Sequence, residues 1–210
     1  MTGIAGLTLG GEIGWLNGKH GLACDNVLSM DVVTADGQVR TANADQHQDL
    51  FWALRGGGGN FGAVVSFTYR LHPVSMVLAG PISYPPERAA AALRLYHQVA
   101  STAPDSLATA ASVVRGADGQ PAVSVVVCWS GPIEEGERVL RPLRGFGPPI
   151  TDGVGLIPYR ELQSMPDAGY PPDRLHYWKA SFLADLPSEA IDAMLRFTAT
   201  APSPHTGIGL

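Results

Sequence analysis

Glycine spacing is the first chemical signal in this chain. Gly56, Gly57, Gly58 and Gly59 follow the largely apolar Asp49-Leu50-Phe51-Trp52-Ala53-Leu54-Arg55, and Asn60-Phe61-Gly62 then leads into Ala63-Val64-Val65. Four successive residues without Cβ are costly in chain entropy, so such a run belongs where backbone passes close to a ligand or another backbone, or takes positive φ repeatedly. Gly57, Gly59 and Gly62 satisfy G-x-G-x-x-G, which in a dinucleotide-binding unit lays a pyrophosphate on a helix N-terminus. That unit requires strand, glycines, helix. Here residues 48–55 read as helix before the glycines and 63–71 as strand after them, so the Rossmann reading fails. A helix-to-strand connection with no ligand stays open beside a ligand-facing one.

A second glycine-spaced stretch, Gly3-Ile4-Ala5-Gly6-Leu7-Thr8-Leu9-Gly10-Gly11-Glu12-Ile13-Gly14-Trp15-Leu16, reads as a loop. Its successive N–H groups could form a concave nest for an anion, or it could be a packed turn. Groups able to move protons gather on one later segment, residues 175–183. There strand-like alternation puts Tyr177, Lys179 and Ser181 on one face and Trp178, Ala180 and Phe182 on the other. A substrate-lining role and an ordinary amphipathic sheet face explain them equally, and no catalytic base is assigned. Cys24 and Cys128 read as free thiols, Cys128 within the apolar run 122–129; His20 and His176 read as satisfied or solvated. No G-x-S-x-G, metal-spaced His/Cys cluster or P-loop occurs, which leaves hydrolase, zinc and NTPase chemistry without residues.

The elements that position these groups fall into two parts, residues 1–75 and 76–210. The first holds a hairpin, residues 27–34 and 38–41 about Asp36-Gly37, then a helix over 44–54 and a strand over 63–71 ended by Pro73. In the second, a strand over 77–84 precedes a helix opened by Pro85-Pro86 and carried by Ala89, Ala92, Leu93, Tyr96 and Val99. A hairpin follows, 107–115 and 121–129 about residues 116–119, then an amphipathic helix over 133–143. A Pro/Gly-rich connection over 145–172 is interrupted only at 159–164. After the strand over 175–183 comes a last helix to 201, capped by Ser188, and the opening of another strand at the end. The order describes an α+β protein whose second part is an antiparallel sheet covered by helices.

The net charge of −5 gives no basic footprint for nucleic acid or anionic membrane, and the apolar runs are too short to span a bilayer. No signal-peptide pattern opens the chain, so a cytoplasmic protein is expected.

Taken together, Gly3 to Gly11, Trp15-Leu16, Lys19-His20-Gly21-Leu22, Asp25-Asn26-Val27-Leu28, Val32-Val33-Thr34-Ala35-Asp36-Gly37, Asp49 to Arg55 and Gly56 to Phe67 resemble the FAD-linked oxidases of the berberine bridge enzyme-like group, in the vanillyl-alcohol oxidase (PCMH-type) superfamily. The segment 177–183 resembles a later part of the same family. The resemblance implies a partial PCMH-type FAD-binding domain over residues 1–75, then the N-terminal part of a substrate domain whose sheet covers the flavin ring. Implied too is removal of a hydride from an alcohol, amine or sugar carbon, with electrons passed to oxygen. Gly3, Ile4, Gly6, Leu7, Gly10, Gly11 and Gly14 would lie against the FAD, with Asn26 and the backbone of Val64 and Val65 completing the cradle. Tyr177, Lys179 and Ser181 would line the substrate.

Glu12 stands where a third glycine is common and would repel a diphosphate unless turned to solvent. Cys24 does not occupy the family's flavin-attachment position. The family's attaching histidine precedes the position of Gly3, and its C-terminal segment follows the part resembled here. The chain therefore reads as the middle of an oxidase, expected to bind FAD weakly alone and to self-associate through uncovered apolar faces. A non-catalytic remnant or interaction module that keeps the fold is the alternative.

Overall fold

The computed structural model describes residues 3–11, 13–115, 120–169, 175–203 and 205–210. Two compact units are present, Met1–Pro73 and Val74–Leu210. The α+β class expected from the sequence is what the chain adopts.

In the first unit, strands β1 (Val27–Val33), β2 (Val39–Asn43) and β3 (Ala63–Tyr69) form an antiparallel sheet in the order β2-β1-β3. The Asp36-Gly37 turn closes the hairpin as expected. Gly37 takes φ +75°, and Asp36 accepts from the Thr34 hydroxyl, the Gln38 N–H and Arg40. The Thr34 hydroxyl above all, with the Arg40 bond, holds the exposed Asp36 carboxyl down at about 2. Alternation in β1 buries Met30 and Val32 against Phe51 and Leu54 of helix α3 (Gln48–Leu54). Each such fully buried side chain contributes about 1.5–3 kcal/mol.

Residues 3–16 depart from the expected loop, because Ile4–Gly10 forms helix α1. Ile4, Leu7 and Thr8 recur at helical period, and Gly11 ends the helix at φ +67° with its N–H on the Leu7 and Thr8 carbonyls. Thr8 is buried and its hydroxyl lies 2.7 Å from Tyr69 Oη, tying α1 to β3. A short helix α2 (Asn17–His20) follows.

In the second unit, β4 (Met76–Tyr84), β5 (Leu107–Arg115), β6 (Pro121–Trp129), β7 (Thr151–Asp152), β8 (Gly155–Pro158) and β9 (Gly207–Gly209) make an antiparallel sheet in the order β7-β4-β6-β5-β9, with β8 also on β4. Helices α4 (Ala89–Ser101), α5 (Ile133–Arg144) and α7 (Ser188–Ala199) supply Leu93, Leu140, Leu143 and Ile191 to one core with Ile82, Val113, Val125 and Trp129. Helix α5 comes so near that a Cβ on Gly136 would stand 2.4 Å from Trp129 Cδ1. Ser188 is the first residue of α7 and makes no cap; its hydroxyl accepts from Arg94 instead.

The other face of this sheet is made of small residues. Register aligns Ser83, Ser124 and Ser112 across β4, β6 and β5, and Pro81, Val126 and Ala110 beside them, all half-buried. Helix α6 (Tyr159–Ser164) lies at the far corner of the unit, where Val77, Ala79, Cys128 and Leu162 are buried.

The strand expected over 175–183 does not form. Those residues are extended but belong to no strand, and Leu175, Tyr177, Trp178, Phe182 and Leu183 are all largely exposed, so neither face of the alternation is buried. Alternation makes a strand only where a neighbour accepts its backbone hydrogen bonds, and the described sheet gives it none. The turn residues 116–119 and Glu12 lie outside the described residues. No described helix is long and apolar enough to cross a membrane.

Candidate functional site

Three of the expected cofactor residues share one face of α1. Gly3, Gly6 and Gly10 recur at i, i+3 and i+7, and all are exposed together with Ile4 at 58%. Leu7 is half-buried. The anion-nest reading is corrected here: the N–H groups of Leu7 and Gly11 are spent on helical bonds, and among residues 3–11 positive φ occurs only at Gly11. What remains is an apolar stripe with little side-chain mass. Gly6 inside a helix costs about 0.5–1 kcal/mol against Ala, yet a Cβ there would meet nothing within 4 Å. Gly3 and Gly14 are equally open. The protein's own packing gives no reason for these three glycines.

Within the glycine run the reasons divide. A Cβ on Gly57 would stand 2.3 Å from the Ala53 carbonyl oxygen, and one on Gly62 2.4 Å from that of Val33, so both are required by close backbone approach. Gly56, Gly58 and Gly62 take positive φ. Gly59 has neither reason. The two glycine stretches meet where a Cβ on Gly11 would be 3.3 Å from Gly56 Cα.

At that junction stands Arg55, a group the sequence reading passed over as part of a motif. Its guanidinium lies 4.7 Å above the Phe51 ring and its buried Nε has no hydrogen-bond partner. A cation at the end of a helix that runs into glycines was the available signal. Buried Cys24 lies beside Gly11, and burial foremost, then Asp25, pushes its thiol up; Cys128 is pushed up by burial to about 12. Neither thiol has the thiolate character a nucleophile needs.

Val64 pairs with Val32, whereas Val65 is the extra residue of a β-bulge: the register steps from Asp31↔Ser66 to Val32↔Val64. Val65 is 64% exposed on the edge strand. Asn26 is placed differently from the expectation. Its amide donates to the His20 and Leu22 carbonyls at 2.8 and 2.9 Å and accepts from His72 Nε2 at 2.6 Å, leaving no side-chain bond for a cofactor.

In the second unit the uncovered end of the sheet opens on a cleft of about 980 Å³. Of the three expected substrate residues only Tyr177 lines it; Lys179 and Ser181 are exposed elsewhere. Among the described residues no cluster of His, Cys, Asp and Glu is arranged to hold a metal.

Comparison with known proteins places this architecture. A family model described as an FAD binding domain matches residues 1–43. The first solved structure, 6-hydroxy-D-nicotine oxidase from Arthrobacter nicotinovorans, has 31% identity and a TM-score of 0.71 over 81% of this chain and 38% of its own. Glucooligosaccharide oxidase from Acremonium strictum shares the fold at 21% identity and TM-score 0.76, over 96% of this chain and 44% of its own. The fold is thus that of the PCMH-type flavin oxidases.

Sequence relatives narrow the class. An FAD-linked oxidoreductase of Dictyostelium discoideum is 32% identical over 92% of this chain and 42% of its own length. (R)-6-hydroxynicotine oxidase of Paenarthrobacter nicotinovorans is 35% identical over 78% and 36%. The chain belongs to this family of FAD-linked oxidoreductases and spans about two fifths of the first relative's length. The resemblance drawn from the glycine stretches and their neighbours holds.

Proposed function

We propose that the chain serves an FAD-dependent oxidase acting on a small molecule, with the first unit contributing to flavin binding and the second contacting the substrate. One observation carries the first half: an exposed apolar helix with glycine at Gly3, Gly6 and Gly10, of which Gly6 weakens the helix and is needed by no neighbour within 4 Å. A flat, Cβ-free face is what a close-lying planar cofactor requires. Val65, bulged out of its ladder, leaves backbone groups beside it for a ligand's polar atoms. Arg55 brings a positive charge and an unpartnered N–H to the meeting point of the glycine stretches. These residues fit FAD, which when bound supplies two-electron oxidation of a substrate carbon with oxygen as acceptor. The chain's own contribution is a dry apolar wall and fixed donors. Buried Asn26 holds the loop behind that wall.

The test is Gly6→Leu. Leucine suits a helix better than glycine, and the Cβ position is open, so thermal stability without flavin is expected to hold or to rise by about 0.5–1 kcal/mol. FAD affinity, followed by flavin fluorescence, is expected to fall at least tenfold. Unchanged affinity in a folded variant overturns the placement of the flavin on α1. Peroxide production with FAD and a substrate would exclude the non-catalytic alternative.

A further inference from the structure

The cleft beside the serine row carries a chemistry of its own. Its floor is the open face of β5, through Ser112 and Val114, and the end strand β9 through Ile208. Its wall is the segment holding Tyr177 and Trp178, and its rim includes His205. Tyr177 and Trp178 are 84% and 69% exposed, so two aromatic rings stand at the cleft without a packed core behind them. Large apolar surface left in water next to a concavity is characteristic of a binding site. Hydrogen-bonding capacity is present but sparse. The Ser112 hydroxyl reaches the Ser124 carbonyl only at 3.5 Å, a long bond that a better acceptor can replace.

The lining charges decide the ligand class. No Asp, Glu, Lys or Arg is among the described lining residues. An ionised ligand would lose water there without gaining a counter-charge, which is strongly unfavourable. A sugar would bring many hydroxyls to walls that offer no carboxylate, amide or guanidinium to pair with them. A flat apolar ring with one or two hydroxyls matches both the aromatic wall and the few hydroxyls of the floor.

We propose that this cleft binds an uncharged aromatic alcohol, with Tyr177 and Trp178 packing on the ring and Ser112 bonding its hydroxyl. The proposal rests on reading the second unit as the substrate-contacting part, and it concerns binding alone. It is tested with the full chain in the absence of flavin, so its failure leaves the FAD titration to speak for itself. Ligands are titrated against amide chemical shifts: 4-hydroxybenzyl alcohol, benzoate, benzylamine and cellobiose. Saturable binding of 4-hydroxybenzyl alcohol is expected, at least tenfold tighter than the other three, with shifts at β5 and β9. Trp178→Ala and Tyr177→Ala alter exposed side chains and should each weaken it about fivefold or more. Ser112→Ala should weaken 4-hydroxybenzyl alcohol but leave toluene unchanged. Equal or tighter binding of benzoate, benzylamine or cellobiose overturns the proposal. So does binding indifferent to Tyr177 and Trp178, or the absence of saturation.

Discussion

At the scale of single residues, His20 ties the α2 end of the first unit to the end of its last strand. Its ring stacks on His72 with centroids 3.8 Å apart and planes 11° from parallel, and His72 in turn donates to Asn26. Desolvation foremost, then His72 and Lys19, lowers the His20 pKa below 6.5. The folded state therefore binds a proton less readily than the unfolded chain, and stability is lost as pH falls below about 6.5. The thermal midpoint of the first unit is expected to fall between pH 7 and 5.5, and His20→Gln to flatten that slope. Equal slopes in the two proteins would show that the stacked pair does not govern it.

Asn26 shows why such detail is hard to read in advance. Its place in a family motif was legible, but its use depends on two carbonyls close in sequence and on His72, 46 residues away. Spacing cannot report that kind of contact. Arg55 was visible as a cation before glycines, whereas its unpartnered Nε emerges only from the packing around it.

At the scale of elements, the glycine run separates two demands that look alike in sequence. Gly62 has φ +144° and no room for a Cβ beside the Val33 carbonyl; Gly59 has open space and no positive φ. Gly62→Ala is expected to destabilise by about 2–3 kcal/mol in chemical denaturation, and Gly59→Ala to be neutral or stabilising by up to about 1 kcal/mol. A reversed order would contradict the packing described for the run.

The hairpin about Asp36-Gly37, helix α3 and the sheet of the second unit were legible because their periodicity and their turn residues agree. Helix α1 was not, since its glycines mask a seven-residue apolar period ended by a left-handed Gly11. The segment 175–183 failed in the opposite sense. Its alternation is strong, but a strand is a property of a pair, and local pattern says nothing about whether a partner is present.

At the scale of the whole molecule, that segment leaves Leu175, Trp178 and Phe182 at 105%, 69% and 103% exposure. Such surface favours association, and we expect the mean mass in light scattering to rise with concentration. Leu175→Ser with Phe182→Ser should reduce it. A monodisperse monomer across the range would count against this expectation. The charge balance points the same way, since a net −5 over 210 residues gives only modest mutual repulsion.

The central claim is that the first unit offers a face to FAD. Its most direct test is a titration of FAD into the intact chain, followed by flavin fluorescence and by protection of α1 and β3 amides from hydrogen exchange. The expected result is saturable binding with protection at Ile4–Gly10 and around Val65, lost in Gly6→Leu. No saturation, or protection confined to the second unit, would contradict it.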